Sequence, residues 1–453
     1  MKGRGAQLIR FGSLPPALFF VLAAVFIIHA GEAALPPANL YEQFHVVIPA
    51  SKQPFPEPLP PGSQPGFKFR GTKGYAWTPE QYLEEIPWLA KFKMNFLMNC
   101  YVSMFASSHP WKNEWWKPLP AAKRAAYAKV IRACRQQGII FCFCLNPQLA
   151  SERPLNPTNT GDLDLLFQHY VWAQNQGVKW FSICVDDAQW HHDKPSAVAA
   201  ADAQMVNTIL GRLREKDSKA QMIFCPRPYC GDGTAPRDHA YLATLGNDLN
   251  PDVYVFWTGD ATVTRRITVV AAESFKTAVR HRLFLWDNYP VNDGHPTLNL
   301  GPVCGRAPDL DQVVDGYMSN PMETQSQINR LPLATCADYA YNPRAYDPSR
   351  SISQAILLLA DTLPQREALR DLVETYPGFL ICPGGTGSNP VRAQFDRILA
   401  LPNAHPAALA YVEHLKGISY RLKTAFPDSY HAAQAVLDKD VQVLTEKLAK
   451  EYN

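Results

Sequence analysis

From Phe67 to Ser319 the chain repeats one motif, a short apolar run followed by an amphipathic stretch, and this repetition restricts the fold more than any other feature. The apolar runs are Phe67–Gly71, Asn95–Cys100, Ile139–Leu145, Trp180–Val185, Gln221–Cys225, Val253–Trp257, Leu283–Trp286 and Gly316–Ser319. Near-continuous apolar strands of this length are buried on both faces, as in a parallel sheet whose crossovers are helices. Helices are expected at Pro79–Phe92, Ala121–Gln137, Asp162–Gln176 and Ala197–Glu215, the first with Thr78 as cap and Pro79 at its first position. Eight such units over this span match a (β/α)8 TIM barrel of about 250 residues. An open doubly wound sheet would call for a glycine-rich phosphate turn after its first strand, and Gly71-Thr72-Lys73-Gly74 is a poor one. The expected class is therefore α/β, with the barrel at residues 67–348.

The flanks differ in character. Residues 1–34 carry Lys2, Arg4 and Arg10, an apolar run from Leu18 to Ile28 and small residues around Gly31–Ala34, the layout of a signal peptide. The run is shorter than the roughly 20 residues that span a bilayer, so the mature protein is expected to begin near Ala34 without a stable membrane span, secreted or periplasmic. Residues 35–66 are proline-rich and aperiodic, an arm or linker. Residues 349–453 lose strand-like runs and read as a C-terminal helical bundle. A net charge of +3, with acids and bases interspersed, argues against a nucleic-acid partner. Cys142, Cys144, Cys184 and Cys225 sit within strand-like runs and read as buried free thiols.

In a barrel the chemistry collects where strands end and βα loops begin. Strand four ends on Asp186-Asp187; strand five is followed by Tyr229; strand six by Trp257 and Thr258; strand seven by Trp286, Asp287, Asn288, Asn292 and Asp293; strand eight by Asn320. Adjacent carboxylates resist joint ionisation, so one tends to keep its proton and can act as a general acid. Taken singly, each residue also fits a turn, a cap or a packing role. Together, acids, amides and aromatics suit a neutral polyhydroxylated ligand, whose apolar faces stack on rings while its hydroxyls meet carboxylates and amides. No cofactor motif is present. The Asp186–Asp193 cluster with His191-His192 lacks a helical i, i+4 ligand pair, and the cysteines lack paired C-x-x-C spacing, so no metal is expected.

Several motifs occur in the order found in glycoside hydrolase family 84, the β-N-acetylglucosaminidases. They are Val185-Asp186-Asp187, Cys225-Pro226-Arg227-Pro228-Tyr229-Cys230, Trp257-Thr258-Gly259, Trp286-Asp287-Asn288 with Asn292-Asp293, Leu300-Gly301-Pro302 with Gly305-Arg306, and Asn320-Pro321. The sequence resembles that family over roughly residues 67–348. The resemblance implies an exo-acting, retaining hydrolase that uses the substrate's own 2-acetamido group as nucleophile. Asp187 would be the general acid/base and Asp186 would orient and polarise the acetamido nitrogen. Asn288 and Asp293 would hold sugar hydroxyls, Tyr229 would shape the acetamido pocket, Asn320 would contact the ring, and Gly71 would let the backbone approach the sugar. Adjacent residues on a regular strand face opposite ways, so the chain must leave strand geometry for both acids to serve one sugar.

Two departures stand out. Arg70-Gly71-Thr72-Lys73-Gly74 replaces the family's acidic and aromatic residues around its first glycine, and Tyr101-Val102-Ser103-Met104 offers methionine where the family carries a sugar-binding lysine. Either another cation such as Lys73 or Lys112 reaches the sugar, or donor specificity has moved. The expected partner is a glycan or glycoconjugate bearing N-acetylglucosamine. The alternatives are a non-catalytic glycan-binding barrel and a glycosidase of this fold with another sugar preference.

Overall fold

The eight apolar runs form eight parallel strands that close on themselves in chain order: β1 Phe69–Thr72, β2 Phe96–Met98, β3 Ile140–Leu145, β4 Trp180–Cys184, β5 Gln221–Cys225, β6 Tyr254–Trp257, β7 Arg282–Pro290 and β8 Val314–Asn320. These coordinates come from a computed structural model that describes Phe44 and residues 46–105, 113–189, 193–382 and 384–452. The first 34 residues, Lys112 and His191-His192 lie outside the described residues. Helices fill the crossovers, beginning with α1 Pro79–Lys91, α2 Ala121–Gln136, α3 Thr160–Asn175, α4 Pro195–Lys216, α5 Pro236–Asp248, α6 Val269–Val279 and α7 Arg330–Tyr341. Thr78 caps α1 in a reciprocal box with Gln81, and Pro79 opens it, so local chemistry alone stops β1's loop and starts the helix.

Barrel closure demands a filled interior and close strands. The filling at the strands' N-terminal end is aromatic: Phe69 lies 4.6 Å from Trp180 and 5.9 Å from Phe284 between ring centroids, and Trp180 lies 5.5 Å from Tyr254. Further along the strands, Met98, Cys142, Cys144, Cys184, Cys225 and Met318 belong to the same buried cluster. The ten cysteines are free, and all but Cys230 are buried. Strand proximity is secured by glycine. A Cβ on Gly71 would stand 1.8 Å from the Phe96 carbonyl oxygen, and one on Gly316 would meet the Phe284 ring at 2.5 Å.

A buried ion pair locks the last two strands. Arg306 donates through Nε and Nη2 to both oxygens of Asp287, at 2.8 and 2.5 Å, and Tyr317 adds a third bond at 2.7 Å. Asp287 is thus committed to holding β7 against β8 and does not open into the barrel mouth, although β7 runs on through Asn288 to Pro290. The register of β7 on β8 shifts between Asp287 and Pro290, which re-aims the side chains at the strand's end.

Residues 46–66 carry no helix or strand and run along α7 and the next helix, α8 Pro348–Leu359. The Glu57 amide donates to Asp338, Asn342 donates to the Pro58 carbonyl, and the Gln53 amide donates to Gln354. After α8 come α9 Leu363–Thr375, α10 Pro390–Leu399, α11 His405–Ala425 and α12 His431–Tyr452. They are not a detached unit, because residues 43–453 form one compact body. The stretch between α9 and α10 lies against the end of β7 and the loop after it: the Leu300 amide donates to the Tyr376 carbonyl, Phe379 packs on Tyr289, and Thr386 reaches Asp293. No helix of the described residues is long and apolar enough to cross a membrane.

Removing one partner of the Asp287–Arg306 pair leaves a charge buried without compensation. Arg306→Met is expected to lower unfolding stability by about 3–5 kcal/mol, and adding Asp287→Asn should recover part of that loss. Denaturant unfolding of the two variants checks it; a double variant less stable than the single one contradicts the pairing argument.

Candidate functional site

At the strands' C-terminal ends a cavity opens among Lys73, Tyr75, Tyr101, Asp186, Asp187, Tyr229, Thr258, Thr262, Trp286, Asn288, Asp293 and Asn320. A second, apolar cleft lies at the opposite end of the barrel between Ile131, Ile139, Val178 and Trp180, and it contains no acid pair.

The two acids reach the cavity because the chain leaves strand geometry right after β4. The Val185 amide still donates to Cys225 on β5 at 3.0 Å; Asp187 then turns into the left-handed region with φ at 57°. Asp is among the non-glycine residues that enter this region most readily. The turn ends the alternation that would have pointed the carboxylates to opposite faces. They are not equivalent. Asp186 is buried, accepting from the Tyr101 hydroxyl at 2.5 Å and from Asn146 Nδ2 at 3.2 Å. Asp187 is exposed to the mouth and accepts from the Tyr229 hydroxyl at 2.7 Å. Burial, helped by the neighbouring Cys184 and Asp187, raises the proton affinity of Asp186 well above the ordinary carboxylate range, against the opposing pull of Tyr101 and Lys73.

The remaining expected residues divide. Tyr229 lines the cavity, and burial together with Asp187 keeps its phenol protonated, a standing donor. Asn288 donates to the Thr262 carbonyl at 2.5 Å and accepts from Asn320 Nδ2 at 2.8 Å. That leaves the Asn320 Oδ1 acceptor and the Trp286 Nε1 donor without protein partners among the described residues, both buried beside the cavity. An unpaired buried donor and acceptor in one pocket are costly unless a ligand supplies the complementary atoms, which a hydroxyl does. Asp293, also in a left-handed conformation, accepts from Thr386 at 3.2 Å, and burial raises its proton affinity. Thr258 lines the wall, its hydroxyl donating to the Ala261 carbonyl.

Besides Asp287, three expected residues do not face the cavity. Trp257 is fully buried, stacked on Phe275 of α6, with Nε1 donating to the Gly231 carbonyl. As the last residue of β6 it points outward to the helix layer, the alternate face from Phe256, whose ring packs against Trp286 inside the barrel. Gly71 sits within β1 below the mouth and serves the approach of β2. Asn292 holds a turn, donating to the carbonyls of His295 and Thr297 and accepting from the Glu323 amide.

Sequence reasoning passed over Tyr75, Tyr101, Asn146 and Thr262. The rule that singled out Asp186 reaches three of them, since Asn146 directly follows β3 and Tyr75 and Tyr101 lie three residues beyond β1 and β2. Lys73 was foreseen only as one of two substitute cations. The sole group of three or more metal-type donors among the described residues is Cys184, Asp186 and Cys225, within 4.8 Å of one another and buried. Cys184 also lies 3.4 Å from the sulfur of Cys144 on the neighbouring strand.

A family model described as beta-N-acetylglucosaminidase matches residues 70–374. The Protein O-GlcNAcases of Mus musculus and Rattus norvegicus are each 26% identical to the chain over 279 residues, covering 59% of it and 29% of their own length. The chain therefore matches under a third of these curated relatives. Among solved structures, a mutant of the Thermobaculum terrenum O-GlcNAc hydrolase superposes with a TM-score of 0.69 at 22% identity, over 84% of this chain and 83% of that one. That likeness speaks for the fold, while the family match spans the barrel, its acid pair and the loops that build the cavity. On these grounds the chain belongs to the beta-N-acetylglucosaminidase family.

Proposed function

We propose that this protein is an exported, retaining exo-β-N-acetylglucosaminidase that removes terminal β-linked N-acetylglucosamine from a glycan or glycoconjugate by substrate-assisted catalysis. The observation that carries the reading is the asymmetry of the acid pair, one carboxyl buried and doubly hydrogen-bonded, the other exposed at the mouth.

A leaving-group oxygen departs toward solvent, so the exposed Asp187 is the group suited to hand it a proton and later to draw one from the attacking water. The first bond to form joins the acetamido oxygen to the anomeric carbon as the glycosidic bond breaks, giving an oxazoline. The acetamido N–H grows more acidic as that ring forms, and an acceptor beside it stabilises the change. Asp186 is suited to be that acceptor, held in one orientation by Tyr101 and Asn146. Burial raises its proton affinity, and the Tyr101 hydroxyl and the ammonium of Lys73 act the other way. Water then opens the oxazoline from the face the leaving group vacated, so configuration is retained.

Asp187→Asn is expected to lower turnover of substrates with poor leaving groups by at least about 100-fold while sparing those with very good ones; Asp186→Asn should impair both. A panel of aryl glycosides with and without the 2-acetamido group measures this. Turnover of the sugar lacking the acetamido group at an equal rate would refute the substrate-assisted route, and binding without release of any aryl group would favour a glycan-binding barrel.

Protonation of Asp186 also enters stability. A carboxyl whose proton affinity rises on folding contributes stability that is full below the ordinary carboxylate range and is lost as pH climbs through the raised value. Asp186→Asn escapes that loss. Its thermal midpoint relative to the native protein is expected to increase as pH climbs above the ordinary carboxylate range; a difference that stays flat or shrinks in a melting series would contradict the burial argument.

The basic and apolar layout of residues 1–34 supports export. Expression in a secreting host followed by N-terminal sequencing is expected to give a mature chain starting near Ala34; an intact N-terminus on cell-retained protein would refute it.

A further inference from the structure

Lys73 presents its ammonium to the cavity in an unusual setting. The side chain is 4% exposed, and Nζ lies 4.7 Å from the ring centroid of Tyr75, 5.2 Å from that of Tyr101 and 4.5 Å from that of Trp286. Aromatic faces attract a cation but offer no lone pair. No hydrogen-bond acceptor and no carboxylate within ion-pair distance serves this nitrogen among the described residues, although it acts electrostatically on Asp186, Asp293 and Glu323. A charge placed so deep without an oxygen partner is expensive, and a protein that keeps one has a use for it.

The backbone that carries Lys73 is fixed in place. The Lys73 amide donates to Ser319 on β8, and the Tyr82 hydroxyl donates to the carbonyls of Lys73 and Gly74 at 2.6 and 2.9 Å. The same hydroxyl accepts from the Cys100 amide at 2.9 Å, which ties the loop after β1 to the loop that presents Tyr101. Phe69, Gly71 and Lys73 share one face of the β1 chain by the twofold strand period, so the residue above the aromatic plug and the glycine enters the mouth. The unpartnered Trp286 Nε1 and Asn320 Oδ1 belong to residues that line the same cavity.

We propose that Lys73 is a substrate-binding residue, its ammonium donating to a hydroxyl of the N-acetylglucosaminyl unit. The loop after β1 then supplies a cation to a mouth where Met104, in the described part of the loop after β2, is buried. This inference rests on the glycosidase reading. A neutral oxygen is the fitting acceptor, because the cavity already holds Asp186, Asp187 and Asp293 and is not built for an anionic sugar.

The test compares the native protein with Lys73→Met on an aryl N-acetylglucosaminide and its 3-, 4- and 6-deoxy analogues. Loss of a charge-assisted hydrogen bond is expected to lower kcat/KM by about 10- to 100-fold. One deoxy position that penalises the native protein should no longer penalise the variant. The melting temperature is expected to hold or rise, since a buried charge has been exchanged for an apolar chain of similar length. Unchanged kcat/KM, or deoxy penalties identical in both proteins, would overturn the proposal, as would loss of activity accompanied by a falling melting temperature in both Lys73→Met and Lys73→Gln. If the native protein releases no aryl group, the glycosidase reading fails by itself. The Lys73 contact is then read from the affinities of the native protein and variant for N-acetylglucosamine and its deoxy forms, and equal affinities overturn it.

Discussion

Closing eight parallel strands into a barrel is the constraint on which everything else in this protein depends. Closure leaves an interior that side chains must fill and seams where backbones must touch. Phe69, Trp180, Tyr254 and Phe284 supply the volume at one end, and Gly71 and Gly316 supply the clearance. A floor of aromatic rings and thiols then supports a mouth whose residues have no room to sink inward. The Asp287–Arg306 pair is the polar complement of that packing, holding β7 against β8 where the strand register shifts and Asn288 turns toward the cavity.

A rigid floor allows two neighbouring carboxylates to acquire different environments. One left-handed residue at the end of β4 suffices to separate them: Asp186 stays with the barrel interior and its burial penalty, while Asp187 emerges into the mouth under the Tyr229 hydroxyl. Chemically identical groups thus acquire different surroundings through depth, the asymmetry on which the proposed division into polarising acceptor and proton carrier rests. The C-terminal region takes part as well, since Thr386, far along the chain, holds Asp293 at the rim. The division between a barrel that carries the site and a supporting helical tail is therefore softer than composition suggested.

Much of this was legible in the residues themselves. Buried parallel strands are apolar throughout, so β3, β4 and β5 stood out as uninterrupted runs, and the acids, amides and aromatics after them marked the mouth. The Thr78-Pro79 start of α1 was readable because capping is local chemistry. What failed to show was direction. Trp257 follows the same strand-end rule as Trp286, yet one faces the helices and the other the cavity, because a single step along a strand reverses the face. Tyr101 and Asn146 escaped notice because their importance lies in touching Asp186, a contact between loops of different strands.

The sequence by itself determined the repeated unit, the number of strands, the family and the pair of acids, since each is written in short-range periodicity or in adjacent residues. Only the tertiary structure decided which acid is buried, which tryptophan enters the cavity, and that Lys73 lies caged by three rings from three strand ends. These outcomes depend on burial depth and on neighbours brought together by closure, and such distances exist only once the barrel has formed.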